Sequence, residues 1–251
     1  MKIVFHQRYL ESYAPDPAAA QGRLDRARDL LKAEHRFLEP YPAAVEDIRL
    51  VHTLEHVERI ARDKHLFHAA LLAAGGALLA SETALQGEPA FGLIRPPGHH
   101  ASPDFSWGFC RFNNMAIAVE KLFREGEIGS AFILDCDLHF GDGTNAFFRG
   151  RRDVTYQHLG PVQELSSILQ DVGECDIIGL SAGFDRHIHD WGGELDTEDY
   201  REIGRQVGSL GERLCPGRIF ALLEGGYNPE VLGEGISALL AGLEESAQTS
   251  G

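Results

Sequence analysis

The sequence predicts a single-domain α/β protein with a mostly parallel β-sheet flanked by helices on both faces. Short apolar runs rich in β-branched residues alternate with longer segments of helical spacing, which is typical of strand–helix–strand units. No repeat or linker interrupts the alternation, so we expect one domain over residues 1–251, with a weak tail only at 246–251. A chain of 251 residues with 43% hydrophobic content can bury a core without disulfides or structural metals.

The alternation places six strands and five helices along the chain. The predicted strands lie at residues 2–5, 90–94, 130–136, 154–158, 176–181 and 218–223. The predicted helices lie at residues 22–31, 66–85, 114–124, 197–214 and 229–245. This order of elements favours a parallel sheet with helical crossovers.

Composition and charge limit the classes of partner. A formal net charge of -15 argues against nucleic acid, because such binding requires Lys and Arg in excess along one face. An acidic surface draws in cationic substrates or simply keeps a protein soluble, and both explanations stay open. The four cysteines form no CxxC pair, which favours a reduced, cytoplasmic setting. The N-terminus lacks the apolar core of a signal peptide and no apolar run nears the ~20 residues of a membrane span, so we expect no membrane partner.

Four predicted strands run directly into clusters of polar or glycine residues. These segments are LIRPPGHH, FILDCDLHFGDG, IIGLSAGFD and LLEGGY. Ligands of open parallel sheets bind outside the carboxyl ends of the strands. We therefore expect the four strand ends to converge on one site.

The candidate metal ligands come from two of these strand ends. Asp135, Asp137 and His139 lie on one side of an extended strand, because side chains alternate with period two. Buried carboxylates are costly unless they are paired or bind a cation, so this group requires a cation or strong donors. Asp185 follows another strand and several small residues, and it is the candidate third ligand beside Asp137 and His139. A helix cap, a solvated histidine or a turn carboxylate are the plainer alternatives.

The other two strand ends carry candidate catalytic groups. His99 and His100 follow a stiff Pro-Pro-Gly turn, which suits the rigid presentation of an acid and a base. Metal ligation or an incidental surface position are the alternatives for this pair. Tyr227 follows two glycines that let a phenol approach a ligand and donate to an oxyanion, although such loops often only close a turn.

The chain resembles histone deacetylases, acetylpolyamine amidohydrolases and bacterial acetoin-utilisation proteins. It has RPPGHH, GFCRFNN, DCDLHFGDG, SAGFD and EGGY in the order found in that family, and VHTLEHVERI and AALLAAGGAL are similar to its helices. The resemblance extends from the N-terminus to about Leu240. It implies an arginase/deacetylase-like fold, hydrolysis of linear amides and an acylated amine as the substrate.

The resemblance also implies a zinc site. Asp137, His139 and Asp185 would bind the ion, which polarises the substrate carbonyl and a water molecule. Two carboxylates and one imidazole are harder than the nitrogen-rich ligand sets typical of catalytic zinc, so Fe(II) or Co(II) can substitute.

Five further residues receive catalytic roles from the resemblance. His100 would act as general base and then as general acid, with His99 as electrostatic support. Asp135 would orient His99 and Asp142 would orient His100. Tyr227 would donate to the tetrahedral oxyanion.

The substrate channel departs from the family pattern. Phe109 and the adjacent Gly108 would form one channel wall, and Gly226 completes the implied substrate-binding set. Only 26 residues separate His158 from Asp185, whereas relatives have a longer segment there that forms the opposite wall. We therefore expect an open site, in which a second copy of the chain is one means of rebuilding the wall.

Three further departures concern structural details. Tyr156 stands where many relatives have a serine that helps to hold a structural potassium ion near Asp135. Phe140 replaces a second histidine, and we expect it only to pack. No acidic residue matches the one that binds a peptide backbone in peptide-specific relatives, so acetyl-lysine, acetylpolyamines and small acylated amines all stay open as substrates.

Two functional hypotheses follow from the sequence. The first is a metal-dependent amide hydrolase, because the candidate residues supply a Lewis-acid site, an acid/base pair and a phenol donor. The second is a catalytically silent binding module that keeps the pocket but has lost the channel wall. No GxSxG, Walker or GxGxxG segment supports a serine hydrolase or a nucleotide-binding protein.

Overall fold

A seven-stranded parallel β-sheet forms the centre of the protein in a computed structural model that describes residues 1–248. The strands are β1 (Lys2–Val4), β2 (Arg36–Leu38), β3 (Ala90–Gly92), β4 (Ala131–Asp135), β5 (Val154–His158), β6 (Ile177–Ala182) and β7 (Ile219–Leu223). Their order across the sheet is β2-β1-β3-β7-β6-β4-β5, and every pairing is parallel. The predicted α/β class is confirmed. Residues 249–251 of the predicted tail lie outside the described residues.

Helices occupy the connections between the strands. They are α1 (Asp25–Glu34), α2 (Val45–Ile48), α3 (Leu54–Ala61), α4 (Lys64–Leu85), α5 (Asn114–Glu125), α6 (Asp142–Phe148), α7 (Leu165–Gln170), α8 (Thr197–Leu214) and α9 (Pro229–Gln248). A side chain on Gly179 of β6 would meet Met115 of α5, whereas Ile178 faces Gly211 of α8. Successive strand residues point to opposite faces, so α5 and α8 cover opposite faces of the sheet.

Short elements are the ones that the sequence pattern missed. All five predicted helices are present, and the bounds of α8 match the prediction, because Asp196 caps its first turn by accepting hydrogen bonds from two backbone N–H groups. Strand β2 and helices α2, α6 and α7 were not predicted, and they have three to seven residues. Helix α3, with eight residues, was indicated only by the resemblance of VHTLEHVERI to a family helix. Such lengths are too short to establish a hydrophobic period.

Helix α4 is part of the protein core. It is the one helix in the described chain whose length and hydropathy match those of a membrane span, and 61% of its most apolar window is buried inside the fold. It contacts strands β1, β3 and β7 as well as helix α5. A helix that is apolar on all sides is typical of such a buried position.

The strand order brings four functional loops to one edge of the sheet. Strands β3, β7, β6 and β4 are consecutive neighbours, and Asp135 at the end of β4 pairs in register with Ser181 of β6. Parallel strands end at the same edge, so the loops after all four strands are adjacent there.

Candidate active site

Asp137, His139 and Asp185 come together beyond the ends of β4 and β6. One ligand atom from each residue lies within 4.8 Å of the other two. The His139 Nδ1 atom is 3.2 Å from Asp137 Oδ1 and 3.1 Å from Asp185 Oδ2. Both carboxylates are buried, whereas 39% of the His139 side chain is exposed. The group therefore lies at the base of an opening to solvent.

The electrostatics of this group favour a cation at its centre. Burial and the charge of Asp137 raise the pKa of Asp185 to about 6. Contacts with Asp137 and Asp185 raise the pKa of His139 to about 10. The buried Asp185 Oδ2 atom has no hydrogen bond within the described residues. A carboxylate oxygen without a donor, next to an imidazole nitrogen, fits a divalent metal ion, so these residues suit the metal that the resemblance implies.

Backbone N–H groups fix the two carboxylates. Asp137 accepts from His139 N at 3.0 Å and from Gly225 N at 2.8 Å. Asp185 accepts from Leu138 N at 3.0 Å. These bonds link the loops after β4, β6 and β7, so the candidate ligands are oriented by main-chain structure from three strands.

His99 and Asp135 form a buried pair behind the candidate ligands. The His99 Nδ1 atom is 3.1 Å from Asp135 Oδ2, and neither side chain is more than 4% exposed. Asp135 Oδ1 also accepts from Asp137 N at 3.1 Å, which joins the pair to the ligand loop. Burial opposes charge on His99, but Asp137 and Asp135 outweigh it and raise the pKa of His99 well above its usual value.

His100 and Asp142 form a second pair nearer to solvent. The His100 Nδ1 atom is 2.7 Å from Asp142 Oδ1, and 48% of the Asp142 side chain is exposed. Burial and the charge of His99 lower the pKa of His100 to about 4. The rings of His99 and His100 lie 4.0 Å apart, so a cationic and a neutral imidazole stand side by side.

Glu224 holds the turn that carries both histidines, and the sequence analysis missed it. Its Oε2 atom accepts from Gly98 N at 2.7 Å and from His99 N at 3.2 Å. Burial raises the pKa of Glu224 to about 7. An acidic residue at the end of a strand that is otherwise apolar, in LLEGGY, was the available signal.

Two glycines allow the loop after β7 to approach the ligands. A Cβ atom at Gly225 would lie 2.6 Å from Asp137 Oδ2 and 2.7 Å from the Asp185 side chain. Gly226 has a φ of +111°, a conformation that side chains disfavour. Together these residues place Tyr227 next to the candidate metal ligands.

The Tyr227 loop is held from both sides. Asp190 Oδ2 accepts from Tyr227 N and Asn228 N, each at 2.7 Å. Arg23 is buried, donates from Nε to Gly226 O at 2.7 Å and lies over the Tyr227 ring at 5.2 Å. The Tyr227 hydroxyl makes no hydrogen bond to any described residue, so it is free to donate to a ligand. No motif surrounds Arg23, so its role could not be recognised from the sequence.

Aromatic side chains surround the opening. Phe109 makes edge-to-face contacts with Tyr227 at 5.4 Å and with Trp191 at 6.0 Å between ring centroids. Trp191, which the sequence analysis did not select, lies over Tyr227 at 4.2 Å. Gly108 is beside His100, where a Cβ atom would lie 3.4 Å from the ring. The structure thus brings Phe109 and Gly108 to the same opening as the candidate catalytic residues, whereas Gly226 is buried and a Cβ atom there would meet Phe184 and Leu232.

The shortened segment between His158 and Asp185 leaves a cavity beside the ligand loop. The segment forms a 3-10 turn, Val162–Glu164, followed by α7. A cavity of about 480 Å³ lies next to it, lined in part by Leu138 and His158.

Tyr156 contacts the carboxylate that the resemblance links to potassium. Its hydroxyl donates to Asp135 Oδ2 at 2.9 Å and accepts from Gly141 N at 3.0 Å. Its ring contacts Phe140, which packs as expected but is 48% exposed. With His99 on the same carboxylate, two side-chain donors therefore reach Asp135 Oδ2.

The candidate metal ligands, two carboxylates and one imidazole, lie beside two His–Asp pairs at the carboxyl edge of a parallel sheet. This arrangement defines a metal-dependent hydrolase of the α/β class. The histone deacetylase domain model matches residues 18–159 and 163–243. The chain therefore belongs to the histone deacetylase family. Members of this family are hydrolytic enzymes that act on acyl amides and are generally metal-dependent, so this chain is an amide hydrolase for acylated amines.

Curated relatives and one solved structure agree with this assignment. A probable deacetylase from Archaeoglobus fulgidus is 32% identical, over 98% of this chain and 87% of its own length. A probable deacetylase from Methanothermobacter thermautotrophicus is 34% identical, over 87% of this chain and 84% of its own length. The crystal structure of the HDA15 HD domain has the same fold, with a TM-score of 0.84 and 23% identity over 98% of this chain and 89% of that one.

One of these relatives has more residues than this chain over the region that the two share. The alignment with the Archaeoglobus fulgidus protein runs over 314 positions, more than this chain has residues. That relative therefore carries segments that this chain lacks. The family match is interrupted at residues 160–162, directly after β5 and beside the cavity described above.

Proposed function

We propose that this chain is a zinc-dependent deacylase that hydrolyses the amide bond of acetyl-lysine, an acetylpolyamine or a small acylated amine. The observation that carries the proposal is the pair of buried carboxylates, Asp137 and Asp185, around the His139 Nδ1 atom. Buried carboxylates without sufficient donors require a cation, and two His–Asp pairs lie directly beside them. The exposed His139 side chain and the adjacent cavity favour a site that admits amines of several shapes.

The histidine pair supplies the proton transfers. When bound by Asp137, His139 and Asp185, the zinc ion provides a Lewis acid for the amide carbonyl and for water. His100 is neutral near pH 7 because its pKa is lowered to about 4, so it accepts the proton of the attacking water and passes it to the leaving amine. His99 keeps its positive charge and supports the negative charge that develops nearby.

Tyr227 completes the set as the donor to the oxyanion. Its backbone is fixed by Asp190, and its hydroxyl has no competing partner in the described chain. Burial and the charge of Asp137 raise the pKa of Tyr227, so the phenol keeps its proton at all working pH values. A preorganised donor of this kind contributes ~3 kcal/mol to transition-state stabilisation.

A catalytically silent binding module is the second candidate. It is favoured by the short segment of 26 residues between His158 and Asp185, where the family resemblance implies a second channel wall. Relatives described as deacetylases and the complete set of chemical groups favour the enzyme.

Metal content and amide hydrolysis, measured together, test the proposal. The purified protein is expected to hold about one zinc ion per chain and to hydrolyse a fluorogenic acetyl-lysine or an acetylpolyamine, with loss of activity on chelation. Asp185→Ala should lower metal affinity by orders of magnitude, because one of three protein ligands is lost. Asp171→Ala, which removes an exposed carboxylate at the end of α7, is the matched control. Bound metal without hydrolysis of any acyl amine would support the binding module.

Tyr227→Phe tests the oxyanion donor separately from the metal. The substitution removes one hydroxyl, so kcat should fall by ~100-fold or more while KM changes little. Zinc content and melting temperature should match those of the parent protein. An unchanged kcat would show that the phenol only packs the glycine turn.

A further inference from the structure

We propose that Trp107 is a positioning residue that acts through Asp142 to fix the orientation of His100. The inference rests on the proposed function, because it assigns Trp107 a part in the same reaction. It concerns a residue that neither the sequence motifs nor the family resemblance selected.

A hydrogen bond connects Trp107 to the outer His–Asp pair. The Trp107 Nε1 atom donates to Asp142 Oδ2 at 2.8 Å, while the other oxygen, Oδ1, is 2.7 Å from His100 Nδ1. The carboxylate thus bridges an indole and an imidazole. Its rotation about the Cβ–Cγ bond is fixed from both sides, although 48% of the Asp142 side chain is exposed.

The indole ring also packs on His100. The two ring centroids are 3.8 Å apart with an interplanar angle of 31°, and His99 covers the opposite side of His100 at 4.0 Å. Trp107 is 43% exposed, whereas the His100 side chain is only 7% exposed. Trp107 therefore separates His100 from bulk solvent. Its packing also restricts the orientation of the His100 imidazole, the ring that transfers the proton.

An exposed aspartate alone would be a weak support for a general base. A half-exposed carboxylate is solvated and free to change rotamer, so its bond to an imidazole is readily lost. A second donor on the same carboxylate restricts that motion. Partners of this kind, one step removed from the reacting group, typically contribute 10–100-fold to activity.

Trp191 provides a matched comparison within the same opening. It is the only other tryptophan of the chain, and it contacts Tyr227 and Phe109. Its indole N–H makes no hydrogen bond within residues 1–248. A coupling to Asp142 is therefore expected for Trp107 and not for Trp191.

A double-mutant cycle tests the coupling. Trp107→Phe keeps an aromatic ring but removes the N–H, and it should lower kcat by about 10-fold with little change in KM. In an Asp142→Ala background the same substitution should cost less than about 2-fold, because the residue through which it acts is gone. Trp191→Phe should have the same fold-effect in both backgrounds. Melting temperatures of all variants separate positioning from loss of structure.

A spectroscopic measurement tests the contact without turnover. With two tryptophans, the proton–nitrogen correlation spectrum has two indole signals, which Trp191→Phe assigns. Asp142→Ala should move the Trp107 indole proton upfield, as expected when a bond to a carboxylate is lost, and should shift the Trp191 signal less.

The outcomes distinguish the two proposals. Two results with an active parent protein would overturn the role of Trp107 alone. The first is that Trp107→Phe and Asp142→Ala have independent, multiplicative effects on kcat. The second is that Asp142→Ala leaves the Trp107 indole signal unchanged. A parent protein that binds metal but hydrolyses no acyl amine overturns the proposed function, and the positioning role with it. Strong coupling together with the selective shift supports the inference.

Discussion

His99 and His100 are adjacent in the chain and their rings lie 4.0 Å apart, yet their surroundings shift their pKa values in opposite directions. Burial opposes charge on both rings. At His99 the charges of Asp137 and Asp135 outweigh burial, whereas at His100 burial and the neighbouring cation prevail. Environments that separate two titrating groups assign one the charged role and the other the proton-accepting role.

The two pairs also differ in how they are attached to the fold. Asp135 is fully buried and accepts hydrogen bonds from the Asp137 backbone, Tyr156 and His99. Asp142 is half-exposed, and in the described chain its carboxylate contacts only side chains, those of His100 and Trp107. The inner pair is thus part of the structure that holds the ligand loop, and the outer pair is a separate unit at its surface.

The largest expected effect comes from removing the inner carboxylate. Asp135→Ala leaves His99, Tyr156 and the Asp137 N–H without their acceptor, so the free energy of unfolding should fall by roughly 3 kcal/mol. Metal affinity should fall as well, and kcat/KM by more than ~100-fold. Asp142→Ala should lower kcat by ~10-fold to 100-fold while metal content and melting temperature stay unchanged. Denaturant titration and metal analysis of both variants check this difference between the inner and the outer pair. Equal losses of stability in Asp135→Ala and Asp142→Ala would contradict it.

The pH dependence of turnover gives a second test of the difference between the two histidines. The pKa of His100 is lowered to about 4, so protonation of this base should contribute no loss of kcat/KM as the pH falls from 7 to about 5. Activity should then be lost as the pH approaches about 4. The unfolded state binds the proton nearer pH 6.5, so His100 also makes stability fall as the pH decreases through this window. A midpoint of the acid limb near 6.5 would mean that His100 is not shifted.

The smallest effects are expected at Tyr156. Its hydroxyl is one of three donors to Asp135, so Tyr156→Phe should destabilise the fold by about 1 kcal/mol and change kcat by less than ~10-fold. Because these donors already compensate the carboxylate, exchange of potassium chloride for sodium chloride should leave activity unchanged. A strong requirement for potassium would show that a cation, and not the phenol, supports the inner pair.

The candidate metal ligands were predictable because polar groups interrupt apolar strands. Asp137 and Asp185 follow β4 and β6 directly, and the meeting of neighbouring strand ends is a general property of parallel sheets. The predicted strand 2–5 was longer than β1, because Phe5 is buried after the last strand residue and continues the apolar pattern. Burial in a loop and burial in a strand look alike in sequence.

Trp107 could not be assigned by the same argument, and for Glu224 the polar interruption after β7 did not indicate which group it contacts. The contact between Trp107 and His100 depends on the path of the loop after β3, which has no periodicity to indicate it. Glu224 acts on the backbone of a turn more than a hundred residues away in the chain. Long-range contacts between loops follow from the assembled fold and not from local patterns.

One short segment carries both a candidate metal ligand and the support of the candidate oxyanion donor. Asp185 and Asp190 are separated by four residues, and the Gly192 N–H donates to Asp185 O at 2.7 Å, which closes the segment into a loop. Asp190 in turn fixes the Tyr227 backbone. The backbone of this loop therefore connects the candidate metal ligand to the candidate phenol donor. A substitution at Asp185 that shifts this backbone is expected to displace Tyr227 as well, so that metal preference and turnover would change together.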